Sequence, residues 1–408
     1  MRLATALGLA AALALTAPAS AQIEPFLSGN VIKIGVLTDM SNIYADIGGA
    51  GSVEAARMAI ADFGGTVNGE KIELVSADHQ NKPDLGLAIA NQWFGINGVD
   101  AIADVATSSV ALAVQDVAHT RNKALLISGA AASDLTGRAC APTSVNWTYD
   151  TVALANGTGG AVVRSGGDTW FFVTADYAFG YDLERDTAKV VRQNGGSVLA
   201  SVRAPLMTAD FSPFLSQAQA SKAKVIGLAN AGGDTDNSIK QVAKLGIVAS
   251  GQKLAGLLLF ISDIHSLGLQ TAQGLLLTSA FYWDQNDATR AWSKRFFDRM
   301  KREPTMVQAG VYGSILHYLA AVKAAGTTDG ATVVKQMKAT PVNDFMTKNG
   351  KIREDGTLVR DMYLFEVKKP SESRGASDYY KQISIIPGEE AFKPLGPTEC
   401  YMSRSLSN

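Results

Sequence analysis

The sequence predicts an α/β protein made of two tandem doubly wound units, each a parallel sheet sandwiched between helices. Strand and helix patterns alternate along nearly the whole chain, and the strands read as apolar on both faces, as strands covered on both sides do. The chain of 408 residues is also long enough for two domains that each bury a core.

Each element follows from local pattern. Val31 to Leu37 is a β-rich run, and Gly48 to Phe63 carries apolar residues at helical spacing. An Asn68-Gly69 turn leads to a strand from Lys71 to Ala77. Helix Pro83 to Ile96, strand Ala101 to Val105, helix Val110 to His119 and strand Ala124 to Ser128 complete the first unit. The rhythm restarts after Asn146 to Asp150. Helices 151–164, 180–193, 211–220 and 236–245 are expected between strands 169–174, 197–204, 225–229, 254–260 and 274–280. Helical stretches 288–302 and 307–325 fit either unit. The tail holds a strand from Met362 to Val367 and then a segment rich in Pro, Gly and Ser.

The N-terminus has a different character. Met1-Arg2, an apolar run from Leu3 to Ala17 and the small residues Ala19-Ser20-Ala21 predict a secretory signal peptide over 1–21, with the mature chain starting near Gln22. No later apolar run approaches the roughly 20 residues of a spanning helix. Charge is balanced, 37 basic against 38 acidic residues, with no basic stripe, which argues against nucleic acid or an anionic membrane as partner. Cys140 and Cys400 in an exported chain are expected to pair as a disulfide.

In an open parallel sheet ligands bind beyond the carboxyl ends of the strands, so the loops after each strand carry the chemistry. Thr107, Ser108 and Ser109 sit between a strand and a helix. A hydroxyl there caps the helix, or joins the first-turn amides in a carboxylate site; both readings stand. Gly129 to Ser133, including Ala130 and Ala131, offers backbone amides with little side-chain obstruction, or is a turn chosen for packing. Tyr44, Tyr177, Phe179, Tyr282 and Trp283 fall in these loops and as a set suggest aromatic walls. Asn230, Gly232 and Asp234 occupy another such loop; Asp234 and Asp263 are candidates to face an ammonium group. Enzyme signatures are missing: no His-Glu-x-x-His, Cys-x-x-Cys, Gly-x-Ser-x-Gly or Gly-Lys-Ser/Thr occurs, and neither metal nor cofactor is expected.

Several short segments in order give a resemblance. Ile32 to Leu37, the Asn68-Gly69 turn, Asp78 to Pro83, Val110 to Ala113, Ile127 to Ala131, Ala175 to Gly180 and Gly232 to Asp234 are similar to segments of the branched-chain amino-acid-type substrate-binding proteins of ABC importers. The resemblance spans nearly the whole mature chain. It implies two Rossmann-like lobes with parallel sheets joined by three crossings, here 30–148 with 283–338, and 149–282 with 339–400. It also implies a periplasmic monomer that closes on a small carboxylate and delivers it to an inner-membrane permease; the alternative is a ligand-sensing clamp for a signalling receptor. In that family a serine in the loop matching Thr107 to Ser109 and groups matching Ala130 to Ser133 hold the ligand carboxylate. An aromatic matching Tyr177 to Phe179 and contacts matching Asn230 to Asp234 come from the second lobe. Amino-acid binders of this type follow the alanine pair with threonine, where this chain has Ala132 and Ser133. Their ammonium-binding acid is matched only loosely, by Asp234 or Asp263. An aromatic or aliphatic carboxylate is therefore at least as good a ligand as an amino acid.

Overall fold

A computed structural model describes residues 31–396 and Cys400; the expected signal peptide lies outside them. Strands are β1 (Val31–Thr38), β2 (Thr66–Val67), β3 (Glu70–Asp78), β4 (Ala101–Asp104), β5 (Ala124–Ile127), β6 (Ser144–Asn146), β7 (Thr169–Ala175), β8 (Ser197–Ala204), β9 (Val225–Ala229), β10 (Lys253–Gly256), β11 (Leu276–Ser279), β12 (Lys351–Ile352), β13 (Leu358–Val359), β14 (Met362–Val367) and β15 (Tyr380–Ile386).

The first lobe is built on a sheet of order β2-β3-β1-β4-β5-β6, parallel apart from the β2–β3 hairpin. Its central strands are buried throughout, which explains their continuous apolar runs. Helices Gly49–Phe63 and Met306–Ala325 pack against each other, so the late helix belongs with this lobe. The second lobe is a fully parallel sheet of order β10-β9-β7-β8. One core cluster runs from Ile34 and Ala103 in the first lobe to Phe172 and Ala255 in the second, so the lobes are closed on each other.

Two expectations are corrected. The strand expected at 274–280 is β11, which leaves the second parallel sheet and pairs antiparallel with β14 and then β15. The tail is accordingly less irregular than its composition suggested. The helix expected over 151–164 is present and widens to a π turn at Ala155–Gly159. Here a Cβ on Gly157 would come within 2.1 Å of the Thr278 hydroxyl, and Thr158 bonds that hydroxyl at 2.9 Å. The run 254–260 is strand only to Gly256; the rest turns out of the sheet toward the other lobe. A parallel bridge between Asn146 and Thr357 sets the β12–β13 hairpin beside the edge of the first sheet. Cys140 and Cys400 are disulfide bonded, Cα to Cα 5.8 Å.

Candidate functional site

The loops at the carboxyl ends of both sheets meet around a tightly closed cavity of about 20 Å³. Its floor comes from the first lobe. Helix Ser108–Thr120 has Thr107 as an extended N-cap without a side-chain cap, and the first amide to bond back is that of Ala111. The three preceding amides have no intrahelical partner and carry the positive end of the helix dipole. Ser108 lines the cavity, and its Oγ accepts the amides of Ala131 at 3.3 Å and Ala132 at 3.2 Å. With its lone pairs so occupied, the hydroxyl is left with a proton to donate. The turn that delivers it is strained: Asp104 and the β-branched Val105 have φ of 79° and 53°.

The walls are aromatic. Tyr44 from the first lobe and Tyr177 from the second meet hydroxyl to hydroxyl at 2.6 Å. Tyr149 donates its hydroxyl to the Gly129 carbonyl at 2.8 Å and stands edge-on to Phe260, 6.2 Å between ring centres. Phe179, Ile47, Leu258 and Ala231 complete the lining. Burial drives the phenols of Tyr44, Tyr149 and Tyr177 further above their ordinary range, so they act as neutral hydrogen-bonding groups.

No acidic side chain lines this cavity. One lies just beneath it. Asp104 is fully buried, where Gly48 and Gly129 leave room; a Cβ on either would come within 2.7 Å of a carboxylate oxygen. Burial raises it to about 6, and the neighbouring Ser52 and Thr38 hydroxyls draw it partly back without forming aligned hydrogen bonds.

Of the residues singled out in the sequence, the structure brings Tyr44, Ser108, Ala131, Tyr177 and Phe179 into the cavity lining. The others take different places. Thr107 donates to Asn81, whose amide donates to Asp39 at 2.7 Å, and Asp39 accepts the Tyr44 amide at 2.9 Å; Thr107 thus steadies the loop that carries Tyr44. Ser109 lies on the helix beside Ser108 outside the lining, and Ala130 packs in the core beneath. Ser133 latches the lobes: its hydroxyl donates to Asp186 at 2.7 Å and accepts from Arg185 at 2.6 Å. Asn230 accepts from Thr235 at 2.8 Å and donates to Ser238 at 3.0 Å, tying down the start of helix Gly233–Lys244. Gly232, at φ 57°, faces the Ile43 carbonyl, to which the next amide donates at 3.2 Å across the lobes. One Asp234 oxygen accepts the Met207 amide at 3.1 Å, and the other is buried without a hydrogen-bond partner; burial raises this carboxyl to about 7. Asp263 accepts the Phe260 amide at 2.8 Å within helix Ile261–Leu267. Tyr282 and Trp283 stand away from the cavity because both donate to the Ser377 carbonyl at 2.9 Å, and the Tyr282 ring packs tilted against Tyr380, 4.7 Å between ring centres.

Tyr149, Leu258 and Phe260 are the largest of the lining residues that the sequence did not single out, beside the smaller Ile47, Ala106, Gly129 and Ala231. Tyr149 lies in the segment read as a boundary between units. Leu258 and Phe260 were absorbed into an apolar strand, although an apolar run longer than its sheet partner needs was the available signal. Among the described residues no cluster of His, Cys, Asp or Glu is arranged to hold a metal.

Two α/β lobes closed over a cavity with aromatic walls and a floor of a serine hydroxyl and helix-end amides define a solute-binding protein. The chain belongs to the periplasmic binding protein family, whose model matches residues 31–375, and its fold is that of the type I members. It is 52% identical to a periplasmic binding protein of Burkholderia mallei, covering 89% of this chain and 96% of that one with a TM-score of 0.88. A branched chain amino acid ABC transporter periplasmic ligand-binding protein from Burkholderia xenovorans LB400 is 39% identical, with a TM-score of 0.81 over 91% of this chain and 100% of the other. Leu/Ile/Val-binding protein homolog 6 of Brucella abortus (strain 2308) is 25% identical over 371 residues, 88% of this chain and 92% of that protein. No helix among the described residues is long and apolar enough to cross a membrane.

Proposed function

We propose that this protein is the periplasmic solute-binding component of an ABC import system. It closes on a small carboxylate with an aromatic or aliphatic body and presents the closed form to an inner-membrane permease. The observation that carries the ligand class is the pairing of the Ser108 hydroxyl and helix-end amides with a cavity free of acidic lining. Those donors suit a carboxylate, and the aromatic rings suit the rest of the molecule. In this reading the proton donors come from the first lobe and Tyr177, Phe179 and Phe260 from the second, so the ligand holds the two together.

The relatives named for branched-chain amino acids favour a second reading, an α-amino acid. A buried ammonium without a partner costs several kcal/mol. Asp234 and Asp263 are the acids on the second-lobe side, and each has an oxygen engaged by a backbone amide, Met207 and Phe260 respectively. Titration with benzoate and with leucine, followed by calorimetry and by melting, separates the two. The carboxylate reading expects benzoate to bind and leucine to bind at least tenfold more weakly; leucine binding more tightly than benzoate overturns it.

A further inference from the structure

The stretch between β1 and helix Gly49–Phe63 belongs to neither strand nor helix, yet it carries three contacts with the second lobe. The Tyr44 hydroxyl meets that of Tyr177 at 2.6 Å. The Ile43 carbonyl accepts the Gly233 amide at 3.2 Å, and the Ile43 side chain lies against the bare face of Gly233. A loop without ladder or helix bonds takes many shapes unless something fixes it.

That fixing comes from Asp39, whose side chain is fully buried and stands outside the lining of the ligand cavity. One oxygen accepts the amides of Ser41 at 3.3 Å and Asn42 at 3.0 Å, and the side-chain amide of Asn42 at 3.4 Å. The other accepts the amide of Tyr44 at 2.9 Å and the side-chain amide of Asn81 at 2.7 Å. Five N–H donors thus converge on one carboxylate. Asn81 is itself held from two sides: its backbone amide donates to Nδ1 of His79 at 3.0 Å, and its side-chain carbonyl accepts from Thr107, the residue before the Ser108 helix. The loop is therefore tied to the floor of the site as well as to itself.

We infer that Asp39 is a positioning residue for closure. It holds Asn42 and Tyr44 by their amides, so that the Ile43 carbonyl and the Tyr44 hydroxyl stand where the second lobe meets them. The carboxylate is needed because both of its oxygens accept. An amide of the same size has one acceptor oxygen, and its NH2 group would face either the Ser41 and Asn42 donors or the Tyr44 and Asn81 donors. One side of the loop then loses its anchor. The inference holds whichever ligand the cleft takes.

The test is amide hydrogen exchange by nuclear magnetic resonance on the full protein, alone, with saturating benzoate and with saturating leucine. The reporter is the Gly233 amide, which lies in the opposite lobe and donates to Ile43. The native protein protects it in at least one condition, and there Asp39→Asn speeds its exchange at least tenfold. Tyr177→Phe also speeds it, and the double variant falls short of the product of the two single effects, because both act through one loop. Asn81→Gly removes one donor at a residue already left-handed, φ 58°, and gives a smaller change in the same direction. Circular dichroism establishes that each variant is folded, and Asn81→Gly carries the test if Asp39→Asn is not. Faster exchange at Asn42 and Tyr44 with Gly233 unmoved would assign Asp39 a purely local role and overturns the inference. So do independent effects in the double variant, or a Gly233 amide unprotected in the native protein under all three conditions. Protection by leucine and not by benzoate, with the Asp39→Asn effect present, counts against the carboxylate reading and supports this inference.

Discussion

Ser108 shows how one side chain sets the chemistry of the floor. It gathers two amides from the Gly129 to Ser133 loop, and on the proposed reading its own proton goes to the ligand. A hydrogen bond to a charged acceptor contributes about 1.5–3 kcal/mol. Ser108→Ala is therefore expected to weaken benzoate binding about tenfold to hundredfold by calorimetry, with little change in melting. Asp104 gives a pH prediction. Its carboxyl is raised from 3.8 to about 6, so its contribution to stability is complete below about pH 4 and is lost as pH rises through about 6. A shift of about two units corresponds to about 2–3 kcal/mol. Asp104→Asn should gain stability over the native protein by about that amount between pH 4 and 7, read as a growing difference in Tm; a constant difference would show that Asp104 stays charged. Residue by residue, the hydroxyls and small residues of the site were legible because they sit where a strand hands over to a helix. Thr107 and Ser133 lie outside the cavity lining because a loop hydroxyl has two sides, and sequence does not say which one faces the cleft. Tyr282 and Trp283 lie outside it because a loop aromatic packs as readily on a neighbouring loop carbonyl as on a cleft.

At the scale of elements, glycines mark the places where parts approach most closely. Gly232 is left-handed and its Cβ would come within 2.5 Å of the Ile43 carbonyl of the opposite lobe. Gly232→Ala combines a backbone cost of about 1 kcal/mol with a clash present only in the closed form. Benzoate affinity is expected to fall more than tenfold while Tm falls by only a few degrees; equal affinity would show that closure does not bring these loops together. The strands and helices of both parallel sheets were legible from period and from turn residues. The two misread strands, and the π turn inside the helix at 151–164, share one cause, tertiary contact overriding local pattern. The wide turn at 155–159 follows β11, β11 follows β14, and the residues after Gly256 leave the sheet to line the cavity.

At the scale of the whole molecule, the disulfide joins residues 260 apart in sequence, tying the first-lobe loop at Cys140 to the chain's tail. A crosslink of this kind contributes about 2–4 kcal/mol by restricting the unfolded chain. Cys400→Ser, or reductant, should therefore lower Tm by several degrees, checked by calorimetric melting with and without dithiothreitol. Closure itself was legible only through resemblance, because neither lobe's pattern announces the other. The contact between the two phenols, Tyr44 on one lobe and Tyr177 on the other, bears on timing. Both rings wall the cavity, so a captured molecule departs only when that pair separates. On the proposed reading its dwell time then follows how often the lobes part, which contacts that bridge them through the ligand make rarer, and throughput falls to whatever pries them open.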